Sequence, residues 1–361
     1  QGMYAILREG SAEKNVAIQV KSLIASGIEP RHVLLCTDDR HPDLLAERGH
    51  MDDVVRVALK QGLPPMTAIR MATLNTAEHF GVAGDVGSIA PGRFADILVV
   101  SDLDRLTVER VMAAGKFVPA EGWRPDRGSR YRYPKAATRT MRIRRALSSR
   151  DFRVAAPVAS GRIRCRVIEI VERQVLTRAV WEDVDVRDGE LRLDPSLDLA
   201  WLAVIDRHSG SAAIGRGLIR GYGIRQPCGV ATTVAHDSHN LIVLGTDHDR
   251  MAEAANAVVA QGGGLCLCRA GGAPLSVPLP IAGLMSEASM EEMAQRMAEL
   301  QAALNELGCQ VEDPLMSLSF AALPVIPALR LTDQGLVDVE AFRIVSLFDG
   351  EDNARGKEGS R

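Results

Sequence analysis

Residues 34–40 read Leu34-Leu35-Cys36-Thr37-Asp38-Asp39-Arg40. A short run that is apolar on both faces and ends abruptly in polar residues is the pattern of a strand buried in a parallel sheet. Upstream, Met3 to Leu7 is a second apolar run of strand length, stopped by Arg8-Glu9-Gly10-Ser11. Between them, residues 12–26 carry an amphipathic helical pattern, with Ser11 as the expected N-cap and Gly27 and Pro30 as stop signals. Helical patterns follow at 50–61 and 65–79. Strand, polar turn and helix, repeated, is the rhythm of βα units.

Both polar turns therefore fall at the C-terminal ends of parallel strands, where α/β folds place their active sites. Asp38 and Asp39 are adjacent carboxylates at such an end. Together they require a cation, hydrogen-bond donors or a shifted pKa. Either one of them caps the following helix, or the pair serves a ligand. Arg8-Glu9 forms either a local ion pair or a pocket wall. His79 lies in an apolar helical context and reads as structural.

Further along, Gly87 to Arg93 is a turn-rich link into a strand at 94–100, and Ala113 to Lys116 reads as a hairpin turn. Residues 124–153 hold eleven Lys or Arg with Tyr131 and Tyr133 among them. That composition fits a solvated linker or, less readily, a nucleic-acid contact. From about 160 to 350 a second α/β body is expected. Its strands fall at 163–170, 198–206, 229–234, 241–245 and 338–347, and its helices at 249–261 and 288–307. Gly262-Gly263-Gly264 is a turn, because no phosphate-loop spacing surrounds it. Gly215, Gly217, Gly221 and Gly223 imply either a close backbone approach or a mobile loop. In Ala235-His236-Asp237-Ser238-His239-Asn240, two histidines three apart beside a carboxylate suit a metal site or a hydrogen-bonded polar loop.

Composition bounds the rest. The chain has 361 residues, 46% hydrophobic and 25% charged, with a net charge of -3. Two or three globular domains fit that length. No apolar run is long enough to span a membrane, and the charge argues against a nucleic-acid polycation. Six cysteines without a CxxC pair look like reduced thiols of a cytoplasmic protein. No GxSxG elbow supports a serine nucleophile. The sequence begins Gln1-Gly2-Met3-Tyr4 and enters a strand at once, which reads as numbering that starts inside a longer polypeptide.

Taken together, Leu7-Arg8-Glu9-Gly10-Ser11-Ala12, Cys36-Thr37-Asp38-Asp39-Arg40, Gly49-His50-Met51-Asp52, Ala68 to Ala77, Gly87 to Ile97 and Val234 to Asn240 resemble the bacterial adenine deaminases of the amidohydrolase superfamily. The resemblance implies an α/β fold class: the last βα units of a (β/α)₈ amidohydrolase barrel (1–82), part of a β-sandwich (83–123), a basic linker (124–153), a C-terminal α/β domain (154–350) and a disordered tail (351–361). It implies hydrolysis of adenine to hypoxanthine and ammonia in purine salvage. The cofactor would be a divalent metal, Mn or Fe, with Zn as the alternative. Asp38 would be metal ligand and proton shuttle, Asp39 would bind the purine edge, and Glu9 and Arg8 would shape the pocket. His236 and His239 would form a second metal site or a lid. The superfamily's His-x-His is absent, so roughly 240 residues of barrel would come from the same polypeptide or another chain. A homo-oligomer is expected. The competing readings are a cyclic-amide hydrolase of the same superfamily and a non-catalytic binding protein.

Overall fold

The computed structural model describes residues 2–11, 14–119, 131–172 and 174–350. The expected tail at 351–361 and the linker residues 124–130 lie outside them. The chain divides into two compact bodies, within residues 1–131 and 132–361.

In the first body, β1 (Ala5–Glu9) and β2 (Val33–Thr37) pair in parallel, from Ala5 opposite Val33 to Glu9 opposite Thr37. Between them runs α1 (Val16–Ser26), closed by Gly27 at φ 64°. After β2 come α2 (Pro42–Arg48), α3 (Met51–Lys60), α4 (Pro65–Ala72) and α5 (Leu74–His79). Val16, Val20, Leu35, Val54, Val55, Ala58, Ala68 and Met71 form the core. The single helix expected over 65–79 is broken at Thr73, whose hydroxyl bonds back to the Ile69 carbonyl, a competitor to the helical ladder. A small antiparallel sheet follows: β3 (Ile97–Asp102), β4 (Thr107–Ala113) and β5 (Lys116–Phe117). The expected turn joins the last two, with Ala114 at φ 47° and Gly115 at φ 78°.

The second body opens with α6 (Lys135–Thr138) and is built on a nine-stranded sheet. Its strands are β6 (Gly161–Ile170), β7 (Thr177–Arg187), β8 (Glu190–Arg192), β9 (Leu199–Ile205), β10 (Ile214–Arg220), β11 (Cys228–Thr232), β12 (Leu241–Gly245), β13 (Gly264–Arg269) and β14 (Leu275–Pro278). Their order is β14-β13-β11-β12-β9-β10-β6-β7-β8. Only β10 and β6 pair in parallel. Strand β9 shows how the sheet divides the core. Ala200, Leu202 and Val204 face one apolar cluster, and Leu199, Trp201, Ala203 and Ile205 face the other, the two-residue period of a strand buried on both sides. Helix α7 (His248–Ala260) covers the second face. The first is covered by α8 (Met290–Glu306), α9 (Pro314–Ala321) and the small sheet β15 (Leu329–Thr332), β16 (Gly335–Asp338) and β17 (Arg343–Val345).

Gly215 and Gly217 are strand residues of β10 rather than a mobile loop. A Cβ on Gly215 would lie 1.8 Å from the Thr332 carbonyl oxygen, so glycine is what lets the small sheet close on the large one. Cys266 and Cys268 share a face of β13, with sulfurs 3.8 Å apart. All six cysteines are free.

The expected linker is corrected at its C-terminal end. Ile143, Leu147 and Phe152 are buried in the core of the second body. The backbone of Leu147 is bracketed by the Asn256 amide at 2.9 and 2.8 Å. The basic composition concealed these apolar residues at spacings of four and five. One of its charges is matched locally, because Arg145 grips Asp151 through both nitrogens. Arg145, backed by the Ser148 amide and hydroxyl, holds the Asp151 carboxyl at about 2 against an ordinary 3.8. Because the folded value lies below the unfolded one, this contribution is complete above about pH 4 and is lost as pH falls toward 2. Asp151→Asn should flatten the loss of urea stability between pH 4 and 2. Parallel wild-type and variant curves there would reject the assignment.

Candidate active site at the ends of two parallel strands

Side chains alternate along β1 and β2. Val33 and Leu35 face the helices, and Thr37 follows them in register. Leu34, Cys36 and, just past the strand, Asp38 follow the other face. On β1, Leu7 packs with the helices, which assigns Glu9 to that side and Arg8 to the side of Asp38. Arg8 and Asp38 meet as an ion pair, both partly exposed. Asp38 Oδ1 also accepts the Asp39 amide at 3.0 Å. Half-buried Asp39 makes no side-chain hydrogen bond or ion pair among the described residues, so its carboxylate is open to a donor. Burial pushes the Cys36 thiol up, and nearby Arg8 offsets this only in part. The thiol is therefore protonated at neutral pH and unsuited to nucleophilic attack.

Glu9 departs from the expectation that it shapes a pocket. It is 4% exposed, and its carboxylate accepts the Val16 amide at 3.0 Å, capping α1. Burial raises its pKa, against the Val16 amide and the Arg40 and Arg48 charges. Charge alone could not tell the two faces of β1 apart. Ser11, expected to cap that helix, does something else. Its hydroxyl donates to the Asp39 carbonyl at 2.9 Å and accepts the His41 amide at 2.9 Å. Its own amide donates to the same Asp39 carbonyl at 3.0 Å.

Arg40 secures the other side of the turn. Its guanidinium reaches the Glu9 carbonyl (3.4 Å), the Gly49 carbonyl (3.2 Å) and Asp53 Oδ2 (2.8 Å), with both side chains nearly excluded from solvent. His50, at the start of α3, lies 3.3 Å from the Thr37 hydroxyl. Neither Arg40 nor Asp53 was singled out from sequence. The alternation past Asp38 offered a signal for Arg40, whereas nothing in the sequence tied Asp53, on α3, to this turn.

In the second body, the His236–Asn240 loop is closed upon itself and packed on α9. The His236 ring stacks on Phe320 at 5.1 Å, and its amide donates to Ser319. His239 Nδ1 accepts the Ala235 amide at 3.3 Å. The neutral ring therefore carries its proton on Nε2, leaving no lone pair there for a metal. Burial, with His236 and Arg207 adding to it, lowers the His239 pKa and keeps the ring neutral. Beneath the loop, Arg207 is 1% exposed. It donates to the His239 carbonyl, to Thr140 Oγ1 (2.9 Å) and to the Ala282 carbonyl (2.9 Å). These partners make the loop a structural junction, with His236 and His239 each engaged by protein groups. Among the described residues, no group of three or more His, Cys, Asp or Glu side chains could hold a metal ion. Asp38 alone does not make a metal centre.

Residues 8–118 match the amidohydrolase family, and residues 174–343 match the adenine deaminase C-terminal domain. The adenine deaminase of Moorella thermoacetica is 43% identical over 349 residues, which is 97% of this chain and 58% of that protein. Over nearly its whole length the chain is similar to adenine deaminases. The adenine deaminase of Rubrobacter xylanophilus is 46% identical over 350 residues, and that of Mesorhizobium japonicum 43% over 348, each covering 96% of this chain and 58% of the relative. The chain thus spans less than two thirds of the length of these adenine deaminases. A crystal structure of an amidohydrolase from Thermotoga maritima MSB8 is 24% identical over 29% of this chain and 26% of its own, at a TM-score of 0.23. Among the described residues, no helix is long and apolar enough to cross a membrane.

Proposed function

We propose that the chain is the C-terminal part of an enzyme that hydrolyses adenine to hypoxanthine and ammonia in cytoplasmic purine salvage. The observation that carries the reading is the convergence of Arg8 and Asp38 at the C-terminal ends of two parallel strands, beside the unbonded carboxylate of Asp39. In this reading β1 and β2 are the last two strands of a (β/α)₈ barrel. The β3–β5 sheet belongs to a β-sandwich, and the body from residue 132 onward forms a separate α/β domain. The enzyme would be a homo-oligomer.

The chemistry replaces the amine on C6 of adenine with the oxygen of water. A C6–O bond forms, the C6–N bond breaks, and a proton must travel from the water to the leaving nitrogen. Asp38 takes that proton and returns it, the role of a carboxylate placed as general base and then general acid. Asp39 accepts an N–H of the purine edge, and Arg8 borders the pocket while orienting Asp38. A divalent ion, Mn or Fe in this reading, would lower the pKa of a bound water. Asp38 is the one ligand these residues offer it, and the others would lie outside the described residues.

The test is release of ammonia from adenine by the intact enzyme, set against ring opening of a hydantoin. Turnover of adenine with hypoxanthine formed in equal amount is expected. Activity on the cyclic amide alone would overturn the reading.

A further inference from the structure

We propose that Ser11 is a positioning residue that fixes the Asp38–Asp39 turn in the geometry that turnover needs; this rests on the function proposed above. The turn has two carboxylates to aim and little regular structure to aim them, since β2 ends at Thr37. Ser11 supplies what is missing. One hydroxyl serves as donor to the Asp39 carbonyl and acceptor from the His41 amide, and the Ser11 amide adds a third bond to the same carbonyl. Residues 39 and 41 are thereby pinned from the β1 side, on either side of Arg40.

Arg40, pinned in turn to Glu9, Gly49 and Asp53, holds the intervening residue. The backbone is bonded at residues 39 and 41 and Arg40 between them is held by its side chain, while the carboxylate of Asp39 stays open. Ser11 is 5% exposed, so water does not readily replace its hydroxyl. A displacement of about 1 Å in a reacting group can lower turnover on the order of 100-fold. That makes a single buried hydroxyl consequential without any contact to substrate.

Ser11→Ala removes one oxygen and introduces no clash, and it breaks two of the three bonds. Exchange of the His41 amide should speed up about 10-fold or more, and kcat on adenine should fall about 10- to 100-fold at a temperature far below unfolding. Ser11→Thr keeps the hydroxyl and should restore both readings to within about threefold of wild type. A faster His41 amide with kcat unchanged in Ser11→Ala would overturn the positioning role. So would a loss of kcat as large in Ser11→Thr as in Ser11→Ala. If the wild-type enzyme releases no ammonia from adenine, the proposed function fails. His41 exchange then decides the tie by itself: fast only in the alanine variant supports it, and equal rates in all three proteins overturn it.

Discussion

Asp38→Asn will lower kcat for ammonia release from adenine by about 1,000-fold or more while leaving the fold intact. General acid–base catalysis by a placed side chain contributes about 10²- to 10⁴-fold, and a carboxamide can neither take up the proton of water nor return it. The structural loss is small by comparison. The Arg8–Asp38 pair is partly exposed on both sides, and pairs of that kind contribute about 0–1 kcal/mol. The carboxamide oxygen of the variant can still accept the Asp39 amide. Far-ultraviolet circular dichroism and the urea midpoint should therefore match wild type while turnover is gone. A kcat within threefold of wild type would remove Asp38 from the chemistry.

Arg330→Ala will be the most damaging substitution for stability in the second body. Arg330, on β15, is 0% exposed. Its guanidinium donates to the carbonyls of Ile326 (2.7 Å), Phe320 (2.9 Å), Pro327 (3.0 Å) and Val175. Burial lowers its pKa to about 10, so it is still charged at neutral pH. Truncation leaves the Ile326 and Val175 carbonyls without the guanidinium, each worth about 1–3 kcal/mol when buried without a partner, while Phe320 and Pro327 keep bonds from the Leu323 and Thr177 amides, and it opens a cavity as well. A loss of more than about 4 kcal/mol is expected, a large share of the 5–15 kcal/mol that holds a typical domain together. Arg330→Lys should recover little, because one ammonium cannot reach four acceptors spread around a planar fork. Urea unfolding measures both. A shift below about 1 kcal/mol in the alanine variant would show that the carbonyls find other partners.

The sequence was most legible where a strand ends in charge. The apolar run into Asp38 specified the parallel pair and the end at which a site would form, because burial on both faces leaves few alternatives. The inward placement of Glu9 was not legible, because a charged residue beside Arg8 reveals nothing about which way it points; pairing with β2 and the start of α1 at Val16 decide that. Ser11 carries a helix-cap signature, but the chain uses its hydroxyl 30 residues away, on His41, a distance that local pattern does not encode. The two histidines at 236 and 239 have metal-like spacing, but spacing does not reveal that the Ala235 amide donates to His239 Nδ1 or that the His236 ring stacks on Phe320. Likewise Ile143, Leu147 and Phe152 were hidden by surrounding arginines, since composition averages over the few residues that anchor a segment.

The Arg207 junction has a consequence for the order in which the second body can be assembled. On the ribosome, the arm carrying Thr140 emerges well before the guanidinium that will hold it, and the Ala282 carbonyl emerges later still. The amide of Arg166, in the first long strand of the sheet, waits for Leu347 to supply its acceptor. A nascent chain halted before residue 282 therefore carries a cation without its full set of acceptors and an apolar arm without its closure. Native closure of this body therefore waits until residue 347 has emerged.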